Sequence, residues 1–143
     1  MNLKPLILIS LLAFAAPAMA EIARVKATSG AASVKRGGAQ TPAKVGQTLE
    51  AEDSLVTGKD GRISVAFVDN TRFAVGPNSQ VEVSKFDYDR TRQQGNFVTR
   101  VDRGSLAVVS GRIAKSGKDA MKVQTPTSLL GVRGTRFIVE VPK

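Results

Sequence analysis

Apolar and polar residues alternate one by one along much of the chain. Ile63, Val65 and Phe67 are interleaved with Arg62, Ser64 and Ala66, and Phe137, Val139 and Val141 with Arg136, Ile138 and Glu140. A period of two places one set of side chains on each face of a β-strand, so these stretches are predicted strands with one face buried. The stretch from Val123 to Val141 organises the rest: its short apolar runs are separated by Thr125-Pro126 and by Arg133-Gly134. Proline cannot donate to a ladder and glycine opens left-handed backbone, so both punctuate strands with corners.

The same punctuation recurs upstream. Glu21 to Val34 reads as two short strands around Ser29-Gly30, and residues 36–42 as a loop by composition. Asp60-Gly61, Asp69-Asn70 and Gly76-Pro77-Asn78-Ser79 are predicted turns around strands at 62–67, 71–75 and 81–86. Residues 87–95 are the most polar segment and are predicted to form an exposed, mobile connection. Strands follow at 96–102 and 105–109 with a turn at Arg103-Gly104, and residues 110–119 read as a loop or weak extended segment.

No stretch shows a sustained period of 3.6, so the fold class is all-β, built of many short strands. Two architectures fit: a short β-helix of stacked rungs, or a twisted β-sandwich. Thr71-Arg72-Phe73-Ala74-Val75 returns as Thr135-Arg136-Phe137-Ile138-Val139, an internal echo that leans toward stacked rungs. Phe67, Phe73 and Phe137 are predicted to be buried, and Gly134 to hold a conformation poorly open to other residues.

The first 20 residues change the picture of where the protein works. Lys4, an apolar run from Leu6 to Ala16 and Ala18-Met19-Ala20 form the charged, apolar and small-residue regions of a secretory signal peptide, with Glu21 as the mature start. The run is shorter than the ~20 residues that cross a bilayer, and Pro17 interrupts its end. Residues 1–20 are therefore assigned to the leader and 21–143 to a single β domain, with no membrane span in the mature chain. The expected location is the periplasm, with release from the cell as the alternative. The chain has no cysteine, so no disulfide supports the fold in that compartment.

The formal net charge is +9, lowered by one on removal of Lys4. Such a balance favours anionic cell-surface glycans or lipid headgroups, although solubility alone accounts for a charge of this size. Export argues against nucleic acid as a partner. Arg90, Arg92, Arg100 and Arg103 are the candidate contacts for a partner or polyanion.

Candidate chemistry is sparse. The absence of histidine and cysteine removes the commonest general base, the thiol nucleophile and the usual zinc ligands. Asp53, Asp60 and Asp69 each sit in or beside a predicted turn, where an aspartate caps backbone, and their spacing is unlike a calcium loop. Gly37-Gly38 is followed by neither Lys-Ser/Thr nor a helical pattern, so it is not a phosphate loop. Ser116 beside Lys115 and Lys118 is a formal Ser-Lys pair, set among glycines that do not favour rigid geometry. No catalytic residue, metal site or cofactor is expected.

Five ordered blocks carry a family resemblance: Val45-Gly46-Gln47-Thr48-Leu49; Leu55-Val56-Thr57-Gly58-Lys59-Asp60-Gly61; Val75-Gly76-Pro77-Asn78-Ser79; Arg103-Gly104-Ser105-Leu106; and Val123-Gln124-Thr125-Pro126 with Val132-Arg133-Gly134-Thr135-Arg136-Phe137. From about Gly46 to Val141 the chain resembles the FecR-type domain of bacterial envelope regulators, and the last block is the most specific. The resemblance implies an all-β module without catalytic function, with Gly131, Arg133, Gly134 and Thr135 as its structural turn motif. In iron-uptake regulators similar modules lie in the periplasm and relay the state of an outer-membrane transporter through a membrane-spanning protein that controls a sigma factor. This sequence shows neither a spanning helix nor a cytoplasmic part, so the expected partner is an envelope protein rather than a sigma factor.

Overall fold

Alternation becomes strand through most of the computed structural model, which describes residues 3, 5, 13, 20–134 and 136–142. In chain order the elements are β1 (Ala23–Ser29), β2 (Ala32–Arg36), β3 (Ala39–Pro42), β4 (Thr48–Leu49), β5 (Ser54–Thr57), β6 (Arg62–Phe67) and β7 (Arg72–Val75). They continue with β8 (Gln80–Asp89), β9 (Gln94–Val109), the short helix α1 (Arg112–Ser116), β10 (Met121–Gln124), β11 (Leu129–Val132) and β12 (Arg136–Val141). The leader assigned to residues 1–20 falls almost wholly outside the described residues. Among those described, no helix is long and apolar enough to cross a membrane.

The chain is all-β, a strongly curled sheet forming a half-barrel, and the two leaves of the curl share β9. One leaf runs β4-β1-β6-β7 to the second half of β9, with β12 on its far side; the other runs β3-β2-β5-β8 to the first half of β9, then β10 and β11. Among the described residues all pairings are antiparallel except β9 with β10. The all-β class of many short strands holds, and the sheet curls as antiparallel hairpins rather than as the stacked rungs of a β-helix.

Arg103-Gly104 is not the turn that composition predicts. It is a bend inside one continuous strand, where β9 leaves β8 at the pair Gln80↔Arg103 and joins β12 at Gly104↔Val141. Gly104 has φ 88, and a Cβ there would overlap Ser79, so the bend requires glycine.

The internal echo has a structural counterpart, though not as stacked rungs. β7 and β12 flank the same half of β9 in the same register: Arg72 and Arg136 both pair with Val109, and Phe73 and Phe137 both pair with Val108. The two strands differ in cover. Phe73 is 2% exposed, whereas Phe137 is only partly buried, because among the described residues β12 has a neighbouring strand on one side alone. Phe67 is buried as predicted, and its ring meets Phe73, Phe86 and Phe97 at centroid distances of 4.7, 5.5 and 4.7 Å. These rings come from both leaves, so the aromatic cluster closes the curl.

Three other segments depart from the sequence reading. Residues 39–42, read as loop, form β3, whose backbone pairs with β2 while all its side chains stand in solvent. Most of 87–95 is also paired, as Asp87↔Asn96, Tyr88↔Gly95 and Asp89↔Gln94, leaving a tight hairpin tip. Polarity there reports side chains that stand in solvent on a paired backbone. Residues 112–116 form α1, held by buried Ile113 and Ala114, a pair too short to display helical periodicity.

Candidate interaction surface

Three of the five sequence blocks meet at one corner. The Thr57 hydroxyl donates to the Gly76 carbonyl at 2.6 Å and accepts from the Ser79 amide at 2.9 Å. Ser79 Oγ in turn accepts the Ser105 amide at 2.9 Å, beside the Gly104 bend. Gly76 donates its own amide to the Ser105 carbonyl, and Asn78 donates to Gly58. The blocks are thus a backbone lock at the junction of the leaves, satisfying groups that a bent, buried strand would otherwise leave unpaired.

The carboxylates that invited a metal or acid–base reading are engaged in similar work. Asp69, fully buried, accepts from the Thr71 amide and hydroxyl and from the Ile113 amide. Asp53 caps the Glu50 amide and takes a bidentate pair from Arg36 at 2.9 and 2.8 Å. That hydrogen bond, against a smaller opposing effect of burial, raises the Arg36 guanidinium above its ordinary value. Asp60 accepts the Ala31 amide. Ser116 donates to the Ile113 carbonyl at 2.7 Å, so its hydroxyl is spent on its own helix turn.

The four candidate arginines are not brought together. Arg90 and Arg92 stand at the β8–β9 hairpin tip, while Arg103 lies about 30 Å up the strand, opposite Gln80, to which it donates. Arg100 is paired with Glu82 at 2.9 Å and Asp102 at 3.1 Å. In the turn motif, Gly131 lies within β11, Arg133 and Gly134 connect β11 to β12, and Thr135 lies outside the described residues. Gly134 has φ 38, the left-handed backbone that its sequence context predicts.

Sequence reasoning missed the surfaces that assemble from distant strands. β12 is a six-residue strand paired to β9 on one edge and, among the described residues, to no strand on the other, and its Ile138 is 69% exposed. Beside it, the outward face of β6, β7, β9 and β12 forms a groove of about 930 Å³. Elsewhere, Arg92, Arg112 and Lys115 line a cleft of about 270 Å³ below the hairpin tip, and Lys115 joins Arg133 in a second of about 410 Å³. Only the Thr71–Val75 echo carried a signal of any of these, since it marked β7 and β12 as equivalent neighbours of β9.

The FecR protein family model matches residues 53–143, well over half the chain. The chain belongs to the FecR family. The match takes in the corner lock and the three C-terminal strands, and the Val45–Leu49 block falls before it. No curated protein matches the chain. Among solved structures, a "Cell surface anchoring domain" is similar at 28% identity and a TM-score of 0.42, covering 44% of this chain and 84% of that one.

Proposed function

We propose that residues 21–143 form an exported, non-enzymatic FecR module of the bacterial envelope, which binds an envelope protein by adding that partner's strand to the free edge of β12. The observation that carries this reading is the outer edge of β12, which no strand among the described residues pairs. An exposed row of backbone donors and acceptors is a ready template for another strand. Of the strands at the sheet margins, β3 has four residues and ends in Pro42, β4 has two and β11 has four with Gly131 among them; β12 has six. The family supports an envelope role, and a relay in iron-uptake signalling is the form of it that the resemblance suggests. The engagement of Asp53, Asp60, Asp69 and Ser116 in structural hydrogen bonds supports a function by contact.

The test is site-specific photo-cross-linking in intact cells. A cross-linking residue at Glu140 on β12 should capture one discrete partner, and one at Lys35 on β2 should not. Equal capture at both positions, or none at Glu140, overturns the reading.

A second reading, binding of an anionic cell-surface glycan or lipid headgroup, is favoured by the cationic clefts around Lys115. It moves the contact from Arg100 and Arg103 to Arg92, Arg112, Lys115 and Arg133. Loss of heparin retention when Arg112 and Lys115 are replaced together by Ser would support it, and unchanged retention would oppose it.

A further inference from the structure

Residues directly opposite on neighbouring strands point to the same face, so the ladder registers define rows across the sheet. Val65, Phe73, Val108 and Phe137 form a row turned toward the core. The row beside it, on the outward face, is Ser64, Ala74, Ala107 and Ile138. The next outward row is Ala66, Arg72, Val109 and Arg136. The floor is therefore low, with methyl groups at Ala66, Ala74 and Ala107 and a hydroxyl at Ser64; Ile138 and the 39%-exposed Val109 rise from it, and cations stand along one side. Lys26, the residue bulged out of the β1–β6 register, adds a third cation, and among the described residues lining the groove none is acidic.

We infer that this groove binds the acyl chain of a long-chain carboxylate, with its headgroup held at the Arg72–Arg136 row. Four features select that occupant. The volume of about 930 Å³ lies in the range of small-ligand sites. The floor spans four strands, about 14 Å, long enough for an extended chain laid across them. The backbone groups of β6, β7 and β9 beneath the floor are committed to ladders, so there the sheet offers an occupant side-chain contacts and no backbone partner. A second copy would set Lys26, Arg72 and Arg136 against their own equivalents, which opposes self-association, whereas a carboxylate complements them. The site uses the face of the sheet and goes beyond the edge reading for β12.

The experiment is a titration of the ¹⁵N-labelled protein with dodecanoate below its micellar concentration, followed by amide shifts. Saturable shifts concentrated at residues 64–66, 72–74, 107–109 and 136–138 are expected. Ala74→Phe, which fills the floor from an exposed position, should weaken binding at least tenfold with an unchanged melting temperature, and Ala107→Leu should act in the same direction should the larger ring perturb the fold. Arg72→Glu should weaken it about tenfold, and dodecyltrimethylammonium should bind less tightly than dodecanoate. Shifts that do not saturate or that scatter over the surface, equal binding of the cationic amphiphile, or no effect of either floor substitution overturns the assignment. An acidic amphipathic peptide that produces these shifts where dodecanoate does not overturns it as well.

Discussion

Ile113 donates its backbone amide to the Asp69 carboxylate at 3.2 Å, across 44 residues of chain. The same carboxylate holds its own turn through the Thr71 amide at 3.0 Å and hydroxyl at 2.8 Å. One buried acid thus fixes the β6–β7 turn and receives the first turn of α1, whose preceding Gly111 offers no side-chain cap. Asp69→Ala should lower the unfolding free energy by about 2–3 kcal/mol, because charged hydrogen bonds vanish and buried donors are left unpaired. Urea denaturation measures this, and a loss below half a kilocalorie would deny the carboxylate its joining role.

The glycines at 104 and 134 both have positive φ but meet different surroundings. A Cβ at Gly104 would overlap Ser79, including its backbone, whereas one at Gly134 would approach the flexible Lys115 side chain at 3.1 Å. Gly134→Ala should therefore cost about 1 kcal/mol, from backbone conformation alone. Gly104→Ala should cost clearly more, because the corner lock must also shift. Equal melting temperatures for the two variants would show that the lock does not constrain the bend.

Equivalent register with unequal cover makes a second paired comparison. Phe73→Ala should cost about 3–5 kcal/mol, and Phe137→Ala, on the half-covered edge, about 1–2. Thermal unfolding of the two variants reads the difference directly.

Arg36 and Asp53 tie β2 to the chain before β5 with a bidentate pair. Arg36→Lys cannot reproduce the fork, and should lose about 1 kcal/mol, discounted because the guanidinium is half exposed. Since the pair raises the arginine above its ordinary value, its stabilisation is complete below that value and fades only at pH above it. The stability difference between wild type and Arg36→Ser arising from the arginine's own titration should thus stay flat from about pH 5 to 9.

The strands were legible wherever one face is buried and the other wet, as at 62–67 and 136–141, because burial imposes period two. Where both faces are wet, as in β3 and the outer end of the β8–β9 hairpin, composition mimics a loop and backbone pairing leaves no hydrophobic trace. Gly104 illustrates a second limit: a glycine that closes a turn and one that bends a continuous strand look alike until Ser79 is brought beside it. The groove lies beyond linear reading altogether. Its floor takes Ser64, Ala74, Ala107 and Ile138 from four strands, and only their registers set them in one row. The aspartates were legible in kind, since turn-capping was predicted, but the reach of Asp69 to Ile113 was not.

The free edge of β12 is the centre of the account, and amide hydrogen exchange on the complex captured through Glu140 tests it most directly. In the free protein the β12 amides that point away from β9 should exchange rapidly, and in the complex they should slow at least a hundredfold while those of β3 stay unchanged. Protection confined to other strands, with the β12 edge exchanging as fast as before, would contradict strand addition.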